Sequence, residues 1–361
     1  MSFNLSASDS RLPGALLQRL RELAPALEAP QAWPGEQFTL LAEAGVLREV
    51  IPVDLGGSDV SSHELLETYL ALSTACLTTA FVLTQRNGAC QRIAASENDE
   101  LRRALLPRLA RGELFATVGI SHLTTSRQHW STPAVTVEPV CAGLKFQGEI
   151  PWVTGAPHAD FIVTGGTLED GRQVLAAIPT TLPGVEIEPP AKLLALTSSQ
   201  TASVHLNDVI LDERWLVAGP IEQVMKHGPG GGTGSLATSA LAVGLSRAAI
   251  DHLRMEAARR ESLIEIVSSL EGEASELATT ILAGADGLGP GETAESIRGR
   301  ANSLALRSTQ ALLAASKGAG FVTGHFAERS VREAMFFLVW SCPQPVVNAA
   351  LRELAGISEC S

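Results

Sequence analysis

Hydrophobic residues recur at helical spacing in the first third of the chain. Apolar positions in residues 12–28 and 36–47 recur every three to four residues, which predicts two helices. A longer helix is predicted over residues 61–84, because Ser61 is followed three residues later by Glu64, the pattern of a capping box. This part of the chain is therefore predicted to be helical.

From about Phe115 the pattern changes to short alternating runs. In residues 202–206 the apolar residues fall on one face, and glycine and proline separate such runs. This texture predicts a small antiparallel β domain. The glycine-rich run 228–234 lacks the lysine and hydroxyl residue of a P-loop, so we interpret it as a flexible interdomain linker.

Helical spacing returns in the last third, where three apolar stripes precede a further helix after Phe326. Together they predict a four-helix bundle, rich in alanine and glycine, which permits close helix packing. We interpret His252, on the first stripe, as a packed core histidine and not as a base. The stripes consist of Leu241, Leu245, Ala248, Ala249 and His252; of Leu263, Val267, Leu270, Ala274, Leu277 and Ile281; and of Ile297, Ala301, Leu304, Ala305, Ser308 and Leu312.

Length and composition agree with an α+β protein of several domains. A chain of 361 residues exceeds what one core usually fills, and its 45% hydrophobic and 18% charged residues are typical of a folded protein. We predict an N-terminal α-helical domain (1–113), a middle β domain (114–219) and a C-terminal four-helix bundle (220–361). The net charge of −12 argues against nucleic-acid binding, so local arginines must meet any anionic ligand.

Cysteine and histidine positions give no sign of a metal site or of a disulfide framework. His122 and His129 share one loop but lack a recognisable third ligand, so we interpret this loop as a surface or pocket-rim segment. No basic leader and no run of roughly eighteen apolar residues is present, so we expect a cytoplasmic protein without a membrane anchor. The cysteines are odd in number and scattered, which favours reduced thiols: Cys76, Cys90, Cys141, Cys342 and Cys360.

Four segments along the chain carry recognisable motifs. VDLGGS (53–58) is a short loop before the long predicted helix, and LPRLARGE (106–113) ends the helical region. GEIPWVTG (148–155) is similar to a Trp-Ile-Thr-Asn motif, and GFVTGHFAERSVREA (320–334) to a glycine-tyrosine turn followed by an arginine-rich helix. In this order the segments resemble the acyl-CoA dehydrogenase superfamily, and the resemblance covers most of the chain.

The resemblance implies a bound FAD. In that family the isoalloxazine lies between the β domain and the bundle, and the adenine end reaches a neighbouring subunit, which implies a homodimer or homotetramer. For Trp152 we keep the alternative of a core tryptophan. The residues that the resemblance assigns to the cofactor are Phe115, Thr117, Val118, Trp152, Thr154, Arg260, Gly318 and Gly320.

The resemblance fails where the family carries its catalytic glutamate. Nine residues beyond Arg332, this chain has Ser341, and the alternative base position of some relatives is Gly234. A serine hydroxyl has too high a pKa to replace a carboxylate unless a neighbouring base activates it. The catalytic residue is therefore unknown. Candidates for a relocated base are Glu256, Glu261 and Glu333.

Three functions stay open at this point. The resemblance implies a flavin-dependent oxidoreductase of acyl-CoA dehydrogenase type, acting on an acyl-CoA, an acyl-carrier thioester or a related small molecule. The missing base favours two alternatives. These are a flavin-dependent monooxygenase of the same superfamily and a non-catalytic homologue that binds flavin or an acyl group.

Overall fold

A computed structural model describes residues 11–124, 132–228 and 235–357. Several features singled out in the sequence lie outside these residues. They are Gly234, most of the glycine run 228–234, His129 and Cys360.

The N-terminal part is helical, as the sequence predicts. Its capping box is confirmed: the Ser61 hydroxyl accepts from the Glu64 N–H at 3.2 Å, and the Glu64 carboxylate accepts from the Ser61 N–H at 2.8 Å. The single helix predicted over 61–84 is wrong, because the chain breaks at Cys76, which packs against Ala24 and Leu27. The helices are α1 (Gly14–Leu23), α2 (Gly35–Glu43), α3 (Ser62–Ala75), α4 (Leu77–Ala94) and α5 (Asp99–Ala110).

The middle part is a β-sheet of eight strands within the described residues, with a short helix, α6 (Ser121–Thr124), after its first strand. Five of its strand pairs are antiparallel, which confirms the predicted sheet type. Two pairs are parallel: the first strand runs from the helical domain alongside the fourth strand, and the second strand meets the fourth at one residue pair. The strands are β1 (Ala116–Gly119), β2 (Val135–Val140), β3 (Gly143–Val153), β4 (Phe161–Thr167), β5 (Gln173–Pro179), β6 (Val185–Ile187), β7 (Ala202–Leu211) and β8 (Leu216–Ile221).

The C-terminal part is a helical bundle. The three stripes face its core with one exception: His252 is exposed and stacks on the Phe326 ring with centroids 4.0 Å apart, so its interpretation as a core histidine is wrong. Because Leu253, the next residue, is fully buried in the bundle, His252 lies on the outer side of the helix at this point. The helices are α7 (Leu236–Ala257), α8 (Ile264–Ala283), α9 (Ala294–Gly320), α10 (Phe326–Met335) and α11 (Gln344–Leu354).

Besides the small cluster at Cys76, the described residues form three hydrophobic clusters. One fills the bundle and the packed faces of α1, α3 and α4, a second lies between α4, α5 and the sheet, and a third lies within the sheet. Gly244 on α7 marks a close approach to α3, because an added Cβ would lie 1.8 Å from the Ser73 hydroxyl oxygen. Among the described helices, none is long and apolar enough to cross a membrane.

Candidate functional site

Trp152 lies near the end of β3, on its outer face. The side chains of β3 alternate between the sheet interior and its surface, so Val153 is buried while Trp152 is 52% exposed. The alternative of a core tryptophan is therefore wrong. The indole borders an open groove of about 390 Å³, whose wall also includes Glu149, Ser203 and His205.

Thr154 follows β3 directly and is buried. Its hydroxyl lies 3.3 Å from the Thr201 hydroxyl, which in turn lies 2.8 Å from the Ser199 hydroxyl. These three hydroxyls form a continuous chain at the ends of β3 and β7, next to the groove. The structure thus brings Trp152 and Thr154 to the same edge of the sheet.

The three residues around β1 that the resemblance assigns to the cofactor differ in whether they have a free hydrogen-bonding group. Phe115 uses both backbone groups on Asp160: its N–H donates to the carboxylate at 2.8 Å, and its carbonyl accepts from the Asp160 N–H at 2.8 Å. Its ring meets Trp33 edge-on, with centroids 5.4 Å apart. Phe115 therefore joins the helical domain to the sheet, and its backbone is not free for a ligand.

Thr117 and Val118 have different surroundings. Thr117 is fully buried, and its hydroxyl has no hydrogen-bond partner among the described residues. Val118 packs against α4, where an added Cβ on Gly88 would lie 3.5 Å from a Val118 methyl carbon. A buried hydroxyl without a partner costs free energy, so Thr117 is the β1 residue with an unused capacity to bind.

Arg260, Gly318 and Gly320 meet at one end of the bundle. The Arg260 guanidinium donates to the Ala315 carbonyl at 2.6 Å and to the Glu256 carboxylate at 2.8 Å. Just beyond Ala315, α9 is interrupted at Lys317, with φ 55° and ψ −148°. An added Cβ on Gly318 would meet nothing within 4 Å, whereas on Gly320 it would lie 2.5 Å from the Ser316 Cβ. Only Gly318 leaves its surface open.

Ser341 lies in a turn between α10 and α11, with a left-handed φ of 45°. The preceding Trp340 stacks on Phe336, with centroids 5.0 Å apart, and meets Phe81 edge-on at 4.8 Å. Aromatic side chains therefore occupy the space beside Ser341. The other base position, Gly234, lies outside the described residues.

Arg298 on α9 binds the backbone of this turn. Its guanidinium is fully buried and donates to the carbonyls of Trp340 at 2.9 Å and Phe337 at 3.2 Å, while its Nε and Nη1 atoms have no partner among the described residues. Burial lowers the pKa of Arg298 to about 10. Sequence reasoning missed this residue, because nothing in the sequence indicates that this arginine is buried without a carboxylate partner.

The three candidates for a relocated base have unequal surroundings. Glu256 is paired with Arg260, and Glu261 is exposed. Glu333 is buried, and burial raises the pKa of its carboxyl to about 7, although Arg329 opposes this from 3.8 Å. Glu333 borders a cavity of only about 10 Å³ beside Cys76, which is room for about one water and not for a substrate.

No cluster of metal-binding side chains occurs in the described parts of the chain. His122 is buried in α6, with its Nε2 atom 3.0 Å from the Gly165 carbonyl oxygen. His122 thus faces the sheet and not the surface, while the rest of the loop, including His129, lies outside the described residues.

Comparison with known proteins places these features in a family. The model of the acyl-CoA dehydrogenase N-terminal domain matches residues 16–113. The chain is 25% identical to "Probable acyl-CoA dehydrogenase YngJ" of Bacillus subtilis (strain 168), over 70% of this chain and 68% of that protein.

Solved structures share the fold over nearly the whole length. A glutaryl-coenzyme A dehydrogenase in its glutaryl-CoA complex has a TM-score of 0.79 and 18% identity, covering 99% of this chain and 98% of its own. A glutaryl-CoA dehydrogenase from Mycobacterium smegmatis in complex with FADH2 has a TM-score of 0.78 and 16% identity, covering 95% of this chain and 93% of its own. Residues 16–113 therefore match an acyl-CoA dehydrogenase N-terminal domain, and the chain as a whole, with its helical N-terminal domain, central sheet and C-terminal bundle, has the fold of the acyl-CoA dehydrogenases.

Proposed function

We propose that the protein is a flavin-dependent oxidoreductase of acyl-CoA dehydrogenase type, which binds FAD and acts on an acyl thioester or a related small molecule. The observation that carries this proposal is the half-exposed indole of Trp152 beside the buried hydroxyl of Thr154. An indole at the edge of a groove offers a large flat surface to a planar ring, and it would be costly to leave in water.

The chain's residues fit this cofactor at two places. Trp152, Thr154 and Thr117 offer a ring face and two buried hydroxyls at the sheet, while Arg260 and the open Gly318 surface suit a pyrophosphate at the bundle end. When bound, FAD supplies the acceptor for a hydride or for single electrons. Following the resemblance, we propose that the two halves of one site come from neighbouring subunits of a homodimer or homotetramer. Light scattering tests this oligomeric state. We expect the protein to lie in the cytoplasm.

The position of Ser341 favours a second candidate, a flavin-dependent monooxygenase. Abstraction of a proton next to a thioester carbonyl needs a base within hydrogen-bond reach, and neither Ser341 nor its aromatic neighbours supply a carboxylate. A monooxygenase needs no such base. A non-catalytic homologue that binds flavin or an acyl group is the third candidate, and it differs from both enzymes by having no turnover.

Substitution of Trp152 tests the cofactor site. We expect Trp152→Ala to lower the flavin bound per purified protein severalfold with the fold intact, because a wall of the pocket is lost but no part of a core. Flavin content is measured by absorbance after denaturation, and folding by circular dichroism. Trp152→Phe should retain most of the flavin.

Ile210 provides the matched control, since it has the same 52% exposure, lies on β7 and is outside the groove. Ile210→Ala should leave flavin content unchanged. Equal flavin content in Trp152→Ala and the wild type would rule out this groove as the ring site. If Ile210→Ala lost as much flavin as Trp152→Ala, the loss would come from a general destabilisation of the protein and not from removal of a pocket wall.

A further inference from the structure

The three hydroxyls of Thr154, Thr201 and Ser199 have no charged neighbour in hydrogen-bond contact, and all three are buried. Backbone bonds fix their spacing: the Gly155 N–H donates to the Ser199 carbonyl at 2.8 Å, and the Ala191 N–H donates to the Thr201 carbonyl at 2.9 Å. Neither of these bonds uses a hydroxyl. The chain of hydroxyls is thus a separate polar element inside the edge of the sheet.

The number of hydroxyl protons limits which hydroxyl donates to which in this chain of hydroxyls. Three hydroxyls carry three protons, but the two links between them use only two. The third proton can belong to any of the three hydroxyls, because Thr201 can also accept from both neighbours and keep its own proton. At Ser199 and at Thr201, which are both buried, no other acceptor is bonded to the hydroxyl among the described residues, so a proton left on either would be a buried donor without a partner.

One arrangement avoids this loss when a ligand with an acceptor lies beside Trp152. If Ser199 donates to Thr201 and Thr201 donates to Thr154, the spare proton is that of Thr154, which follows Trp152 of the groove wall by two residues and can donate to such a ligand. Bonds that run in one direction along such a chain strengthen each other. The Thr154 link, at 3.3 Å, is the longer of the two, so it is the one that an acceptor beyond Thr154 would tighten.

We infer that Ser199 and Thr201 are positioning residues that make the Thr154 hydroxyl a donor toward an acceptor atom of the ring bound beside Trp152. This rests on the proposed flavin site. The edge of an oxidised isoalloxazine carries nitrogen and carbonyl acceptors, so it matches a hydroxyl that must donate. A ligand that offers only donors at this place would leave one of the three hydroxyl protons unpaired.

Substitution of Thr201 tests the inference, because valine keeps the shape of threonine and removes the hydroxyl that links the chain. We expect Thr201→Val to weaken flavin binding roughly three- to tenfold, the effect of one hydrogen bond, and to shift the visible absorption bands of the bound flavin. Thr201→Ser, which restores a hydroxyl, should return both properties toward wild type. Ser199→Ala should act in the same direction with a smaller effect.

Thr309→Val is the matched control. Thr309 is also fully buried, and its hydroxyl donates at 2.8 Å to the Ala305 carbonyl inside α9. This change should lower the melting temperature without moving the flavin spectrum. Folding of every variant is checked by circular dichroism, and if Thr201→Val does not fold, Ser199→Ala decides.

The outcomes separate the inference from the proposed function. A folded Thr201→Val protein with wild-type flavin affinity and wild-type spectrum would overturn the positioning role while leaving the flavin site in place. A spectral shift that Thr201→Ser does not reverse would overturn it as well. A wild-type protein that binds no flavin would overturn both the proposed function and the inference.

Discussion

The turn that carries Ser341 is held at three points. Arg298 binds the Trp340 carbonyl at 2.9 Å, Trp340 stacks on Phe336, and Pro343 begins the approach to α11. A carboxylate introduced at Ser341 therefore cannot adjust freely. A catalytic group misplaced by about an ångström loses much of its effect.

We expect Ser341→Glu not to produce an ordinary acyl-CoA dehydrogenase. A correctly placed general base contributes on the order of a hundredfold to ten-thousandfold, so a site that lacked only its base would gain at least that much. Anaerobic mixing of the purified variant with a panel of acyl-CoAs, followed by flavin absorbance, measures this. If the flavin of the variant bleached more than a hundredfold faster than that of the wild type, the protein would be an ordinary acyl-CoA dehydrogenase that lacks only its base, and this expectation would be wrong.

Glu333 gives the protein a pH-dependent stability. Its carboxyl has a pKa raised to about 7 by burial, above its ordinary value. Between about pH 4.5 and pH 7 the unfolded chain releases this proton while the folded chain retains it, so stability falls as pH rises. The loss is on the order of 3 kcal/mol across this window. Glu333→Gln, which cannot ionise, should reduce the slope of melting temperature against pH in this window, and Glu49, whose pKa burial also raises to about 7, should keep the remaining slope.

Glu328 is the control for this measurement, because its pKa shifts the other way. Its hydrogen bond with Arg332 lowers the pKa of its carboxyl, so its contribution is present at neutral pH and is lost as pH falls below about 4.5. Glu328→Gln should leave the slope between pH 4.5 and pH 7 as in the wild type. Equal slopes for Glu333→Gln and the wild type would show that Glu333 ionises normally in the fold.

At the scale of single residues, sequence pattern predicted orientation better than it predicted partners. Alternation along β3 agrees with the outward position of Trp152, and Thr154 follows it at the same edge of the sheet. Neither could predict that Asp160 takes both backbone groups of Phe115, since that contact depends on how two loops meet. Arg298 was not identified from the sequence, because a buried guanidinium without a carboxylate partner has no sequence signature.

At the scale of secondary structure, the crossing of α3 and α7 depends on a glycine. An added Cβ on Gly244 would lie 1.8 Å from the Ser73 hydroxyl oxygen and 2.7 Å from the Leu70 carbonyl oxygen. The carbonyl cannot move without distorting α3. We therefore expect Gly244→Ala to destabilise the protein by about 1–3 kcal/mol through overpacking, which thermal unfolding measures.

Gly272 on α8 is the matched helical control, because an added Cβ there would meet nothing within 4 Å. Gly272→Ala should be neutral or stabilise by roughly 0.5–1 kcal/mol, since glycine is a poor helix former. If Gly244→Ala were as stable as Gly272→Ala, the close approach of α3 and α7 would be incorrect.

Helix prediction succeeded where local chemistry decides and failed where tertiary contacts decide. The capping box at Ser61 and the buried stripes of α8 and α9 are local patterns, and they are confirmed. The break at Cys76 contains neither glycine nor proline. It is stabilised by packing on Ala24 and Leu27, which are about fifty residues away in sequence, so no local signal marks it.

At the scale of the whole molecule, the parts proposed to hold FAD occupy two regions of one chain. Trp152 and Thr154 lie at the sheet edge, and Arg260 lies where α9 is interrupted, hydrogen-bonded to Ala315. The acyl-CoA dehydrogenase fold and the order of its three parts were predictable, because the four motifs occur along this chain in the order that they have in the acyl-CoA dehydrogenases. The reaction was not predictable, since it depends on a base that neither position of the resemblance supplies.

The visible absorption spectrum of the freshly purified wild-type protein tests the central claim most directly. Bands of oxidised flavin, with about one FAD released per chain on denaturation, are the result that a flavin-dependent oxidoreductase predicts. A protein that is folded by circular dichroism, shows no visible bands and takes up no flavin when FAD is added would contradict the claim. The superfamily fold would then serve a function without flavin.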